Sequence, residues 1–211
     1  MPRVTGLIYC LDLGVSTGFA KGKPGDAPTS GTVRLKKPGE GIDVAFSNLI
    51  AFLQADFSKE VPAFVVKERI MSLQAFKQLN MGRDVVYAHA GYHAIVEGMC
   101  GRFGIDWDDV PDSTARKHFI GKGRLGDRAQ TKNAVVARCH ALGLMPRDCR
   151  DDNRADSLCI HDWACATLGG RAASIDNYQL FGQGDRRAGE RRADVCGNGG
   201  RPVARQLKAG A

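Results

Sequence analysis

With 211 residues, 43% of them hydrophobic and 25% charged, the chain has the composition of a folded protein with room for one sizeable core. No apolar run approaches the roughly 18 to 20 residues that span a bilayer, and MPRVTGLIYC lacks the charged-then-apolar build of a signal peptide, so a cytoplasmic location is expected. The net charge of +7 favours a polyanionic partner; from Gly182 onward seven Arg or Lys outnumber three Asp or Glu among few large apolar residues, so residues 181–211 read as a basic, disordered tail behind a folded unit over 1–180.

The first elements are three short strands, Leu7 to Leu11, Gly18 to Lys21 and Gly31 to Leu35, joined by turns of which KGKPGDAPTSG is the clearest; they predict an antiparallel meander. GIDVAFSNLIAFLQADF has helical spacing at Val44, Leu49, Ile50 and Leu53, and AFVVK predicts a buried strand running directly into Glu68. A long helix is expected from about Gln74 to Cys100, with small residues from Ala88 to Ala94 that allow close packing. A strand near Ile105 to Val110 leads to DSTARKHFIG, a helix for which Asp112 or Ser113 is the expected N-cap. The basic loop GKGRLGDRAQTK precedes the helix of NAVVARCHALGL, and RDCRDDNRADSLCIHDWACATLG closes the unit as a helix that begins among acids. The seven cysteines form no C-x-x-C pair and are expected as reduced thiols; Cys159, His161 and Cys165 share one predicted helix without finger spacing, which favours core packing over zinc.

Carboxylates stand out against this pattern. Asp12 ends one apolar strand and Glu68 another. A buried charge costs several kcal/mol unless it is paired, protonated or bound to metal; read alone, Asp12 is equally an ordinary turn residue. Asp152 and Asp156 lie four apart on the closing helix and share a face. The helix dipole accounts for acids in the first turn but not for Asp156, a turn deeper among apolar neighbours. Acids gathered from two strand tips and one helix would make an all-oxygen site suited to Mg²⁺ or Mn²⁺.

The ordered set LDLG, VVKERI, GKGRLGDRAQTKNAV and DDNRADSL resembles the RuvC-like Holliday junction resolvases of the RNase H-like superfamily over about Leu7 to Thr167. The resemblance implies an α/β, RNase H-like fold: a mixed central sheet, in which the meander is joined by parallel strands, flanked by helices. It implies a homodimeric, metal-dependent endonuclease that resolves four-way junctions or other branched DNA. Asp12, Glu68, Asp152 and Asp156 would hold two Mg²⁺ or Mn²⁺ ions per active site, and Lys132 matches the family's lysine after the basic loop. Lys122, Arg124 and Arg128 are expected on the DNA backbone, with Arg69, Lys77 and Lys117 also facing DNA and Met71 near the place where relatives carry a wedging aromatic. The helix around Ala88 to Ala94 would form the dimer interface. The chain departs from the family pattern at Asn153, which stands three residues before Asp156 where many relatives place a ligand, so Asp152 is the preferred fourth acid. An actin-like phosphotransferase would use the same first hairpin but needs a second, and the chain is too short for one. A DNA-binding module without catalysis would gain by losing the acids.

Overall fold

The computed structural model describes residues 3–169, so the expected tail lies outside the described residues. In chain order the elements are β1 (Ile8–Asp12), β2 (Ser16–Gly22), β3 (Thr29–Arg34), α1 (Ile42–Lys59), β4 (Phe64–Glu68), α2 (Leu73–Gln78), α3 (Arg83–Phe103), β5 (Asp106–Val110), α4 (Asp112–Ile120), α5 (Arg128–Ala141) and α6 (Asp152–Leu168). The strands form one sheet in the order β3-β2-β1-β4-β5. The first three pair as the antiparallel meander read from the sequence, and β4 and β5 add to it in parallel.

Strand alternation explains how this sheet is covered on both sides. Ile8 and Cys10 of β1, with Val66 of β4, belong to a core built against α4, α5 and α6. Tyr9, Leu11 and Val65 face the opposite core, against α1 and α3. The buried stripe of α1 is Ala45, Leu49, Leu53 and Phe57, one residue per turn and all fully enclosed, whereas Ile50, expected in the stripe, is 41% exposed.

The helix predicted from Gln74 to Cys100 is two helices. Asn80 adopts a left-handed backbone (φ 49°) and Gly82 caps α3, so the chain turns between Leu79 and Gly82. Asn tolerates this conformation better than most residues, a local effect that hydrophobic spacing does not report. Helix α4 is capped by Pro111, with Asp112 in its first turn instead of at the cap. Helix α5 begins at Arg128 with an Asp127–Gln130 capping box, which places Lys132 on the helix and not in the preceding loop.

Helix α6 lies across β1 and β2 beneath α4 and α5 and is buried on nearly every side. Its polar side chains inside the protein are partnered: Asp162 with His118 at 3.1 Å and Arg154 with the Ser30 hydroxyl at 2.9 Å. Its first turn can approach β2 because residue 18 is glycine. A Cβ there would overlap the Asn153 carbonyl, and the same glycine stands opposite Asp12 in the β1–β2 register. Gly18→Ala should therefore push the α6 N-terminus off the sheet and destabilise the protein by about 1–3 kcal/mol, read as a lower urea midpoint; an unchanged midpoint would show that this contact can relax.

A candidate carboxylate-rich active site

Parallel pairing of β1 and β4 puts their C-terminal ends side by side, with Leu11 opposite Lys67. Alternation then turns Asp12, in phase with Ile8 and Cys10, and Glu68, in phase with Val66, toward the α6 side of the sheet. Parallel pairing of β4 and β5 brings Val110 opposite Glu68, so Asp112, two residues on, arrives at the same edge. Asp156 comes from the second turn of α6. These four residues line one cleft of about 870 Å³ together with Arg116, Lys132, Asn153 and His89.

The four carboxyl groups interact strongly. Glu68 shares hydrogen bonds with both Asp12 and Asp112. Burial first, then the charges of Asp112 and Asp12, pushes Glu68 far above the usual carboxylate range. Asp12 is also raised, chiefly by burial, against the opposing hydrogen bond from Glu68. Burial raises Asp156 as well, although Arg116 and Lys132 pull it down. The Arg116 guanidinium lies 2.9 Å from Asp112 and 3.4 Å from Asp156, bridging the two. Lys132 pairs with Asp152 and lies 3.9 Å from Asp156.

Of the four acids expected at the site, Asp12, Glu68 and Asp156 line the cleft and Asp152 does not. Its carboxylate is taken by Lys132; although burial works the other way, the hydrogen bond and charge of Lys132 hold Asp152 below the usual range. Asn153 is the residue of that turn that reaches the cleft. Arg69, Met71, Arg124 and Arg128 are also cleft residues, with Arg69 ion-paired to Asp109 and Arg124 donating to the Gly126 carbonyl at 2.9 Å. Lys77, Lys117 and Lys122 are exposed and outside it. The sequence reading missed Asp112 as a site residue, and with it Arg116 and His89. The available signal for Asp112 was its distance from the strand end, usable only once β5 is known to run parallel to β4.

The donor chemistry fits a hard divalent cation: four carboxyl groups from four separate elements face one cleft, and of its basic side chains Arg116 and Lys132 are the two that pair with them. Among the described residues no three His, Cys, Asp or Glu side chains are already arranged as a metal-holding group. The acids are held instead by hydrogen bonds among themselves and by Arg116 and Lys132. No helix among the described residues is long and apolar enough to cross a membrane.

No protein-family model matches the chain, and no curated protein matches it in sequence. Solved structures do match in fold. Thermus thermophilus RuvC is 17% identical, with a TM-score of 0.51 over 83% of this chain and 96% of that one. T. thermophilus RuvC in complex with Holliday junction substrate is 13% identical, with a TM-score of 0.55 over 79% and 95%. The yeast mitochondrial Holliday junction resolvase is 11% identical, with a TM-score of 0.51 over 86% and 83%. The fold is thus the RuvC-like, RNase H-like one, as the order of sequence motifs implied.

The raised carboxyls bear on stability. A carboxyl with a higher pKa in the folded than in the unfolded state favours folding at low pH, and that advantage is lost as pH rises above the ordinary carboxylate range. Asp12→Asn removes one such group and relieves Glu68. In chelator, the variant should be more stable than the parent at pH 8 by about 1 kcal/mol or more, with the difference shrinking toward pH 4. Urea denaturation at both pH values checks this, and a variant less stable than the parent at pH 8 contradicts it.

Proposed function

We propose that the protein is a divalent-metal-dependent, structure-selective DNA endonuclease that resolves four-way junctions by paired nicks. The observation that carries this reading is the convergence of Asp12, Glu68 and Asp156 from two strand tips and a buried helix in one cation-rimmed cleft. The fold supports it, being shared with a RuvC structure that holds Holliday junction substrate.

In this reading Asp12, Glu68 and Asp156 hold two Mg²⁺ or Mn²⁺ ions. When bound, such ions neutralise the carboxylates, activate a water for in-line attack on a phosphodiester and stabilise the departing oxygen. The protein's own groups do the rest. Asp152 fixes Lys132 with its ammonium at the cleft, where it offers charge to the phosphoryl group under attack. Arg69, Arg124 and Arg128 on the cleft wall place the DNA backbone without reading sequence, and Met71 lies among them.

Paired nicks require two sites, and a C₂ dimer presents the same surface twice to a nearly two-fold symmetric junction. Helix α3 can serve such an interface with one face while packing on its own core with the other. Gly91 is seated against the Phe46 ring of α1, where any Cβ would clash, whereas Ala90, Ala94 and Gly98 are exposed. Sedimentation at assay concentration should show a dimer; a monomer that still cuts both strands in concert contradicts this arrangement.

Two substitutions separate chemistry from binding. Asp12→Asn should abolish cleavage while preserving or strengthening junction binding, because it removes a ligand and reduces repulsion toward phosphate. Lys132→Ala should lower the single-turnover rate by about 10-fold or more while changing affinity less, as for a group acting on transition-state charge. Wild-type turnover by the first variant, or equal losses of rate and affinity in the second, would refute these roles.

A further inference from the structure

We propose that Asp112 is a fourth metal-holding carboxylate of the cleft, with Arg116 as the counter-ion it shares with Asp156; this rests on reading the cleft as a divalent-metal centre. The backbone brings Asp112 there. The Arg69 amide donates to the Val110 carbonyl at 2.9 Å, which ties the end of β5 to the chain just past Glu68. Pro111, extended at ψ 134°, then starts α4 with Asp112 in its first turn, on the cleft wall. One guanidinium reaches both Asp112 and Asp156, so the acids from α4 and α6 lie within a single side chain's span.

The ordinary role for such a residue is a first-turn acid paired with Arg116 four residues on, a small surface contribution to the helix. That role needs no contact with the strand-tip acids. Asp112 instead shares a hydrogen bond with Glu68, beside Asp12, and its charge raises Glu68, Asp12 and Asp156 alike. Arg116 pairs with Asp112 and Asp156, but among the described residues no protein cation is ion-paired with Glu68 or Asp12, so one more carboxylate beside those two costs stability unless a further cation joins them. The position Asn153 occupies in the cleft is uncharged, and the neighbouring Asp152 is committed to Lys132 at the rim. Asp112 therefore brings the acidic donors facing the cleft to four.

The test is Mn²⁺ binding to the full chain by titration calorimetry, without DNA, for the parent and for Asp112→Asn, Arg116→Gln and Asp12→Asn. Asp112→Asn should weaken Mn²⁺ by about 10-fold or more, and Arg116→Gln, which removes a competing cation, should leave binding equal or tighter. Should Asp112→Asn fail to fold, judged by circular dichroism, Asp112→Ser suits the same first-turn position and carries the same expectation. Parent-like binding by the Asp112 variant, or an equal loss in Arg116→Gln, would reduce Asp112 to an ion-pair partner and overturn the proposal. Asp12→Asn separates the two levels: if it binds Mn²⁺ like the parent, the metal reading of the cleft fails, and if it alone loses Mn²⁺, only the assignment of Asp112 fails.

Discussion

The crowding of Asp12, Glu68, Asp112 and Asp156 into one partly buried cleft is the constraint around which the open end of this sheet is organised. In water, separated, these groups would ionise independently. Here they are drawn from four elements into one cleft and partly removed from solvent, and burial first, then neighbouring carboxylate charge, raises Glu68, Asp12 and Asp156 above the usual range. Arg116 and Lys132 offset part of that cost by reaching across from α4 and α5. Such an arrangement is unfavourable for stability alone, and structures keep features of this kind where function uses them.

Much of the remaining structure supports that crowding. The central pair β1 and β4 is covered on both faces, which fixes the strand ends bearing Asp12 and Glu68. Buried α6 presents Asp156 because Gly18 lets its first turn close on β2. On the opposite face, Lys67 is only 1% exposed, with its ammonium 3.1 Å from Glu97, 3.8 Å from Asp109 and over the Trp107 ring. A lysine so enclosed joins β4, β5 and α3 directly behind the residue that carries Glu68. Arg69 pairs with the same Asp109, so one β5 carboxylate ties down both neighbours of Glu68.

The sheet and the strand-tip acids were legible in the sequence because each is a local pattern. An apolar run that ends in a carboxylate marks Asp12 and Glu68, and the depth of Asp156 beyond the first helical turn marks it as more than a dipole effect. The two-helix form of the stretch from Leu73 to Phe103 was hidden because it depends on one left-handed Asn80, not on the apolar spacing around it. Asp112 was read as a helix cap, since nothing local distinguishes a cap from a residue delivered to a cleft by a strand pairing from far along the chain. Asp152 and Asn153 are adjacent, and only the rotation of α6 against the sheet decides that Asn153 faces the cleft.

Cleavage of branched DNA by this cleft with divalent metal is the proposed activity. It is tested most directly by incubating the protein in Mg²⁺, and in parallel in chelator, with a mobile four-way junction, a fork, a flap and linear duplex. Symmetric paired nicks confined to the junction are expected, with none in chelator. Equal cutting of fork, flap and junction would contradict junction resolution, and cutting that persists in chelator would contradict the metal-dependent chemistry assigned to Asp12, Glu68 and Asp156.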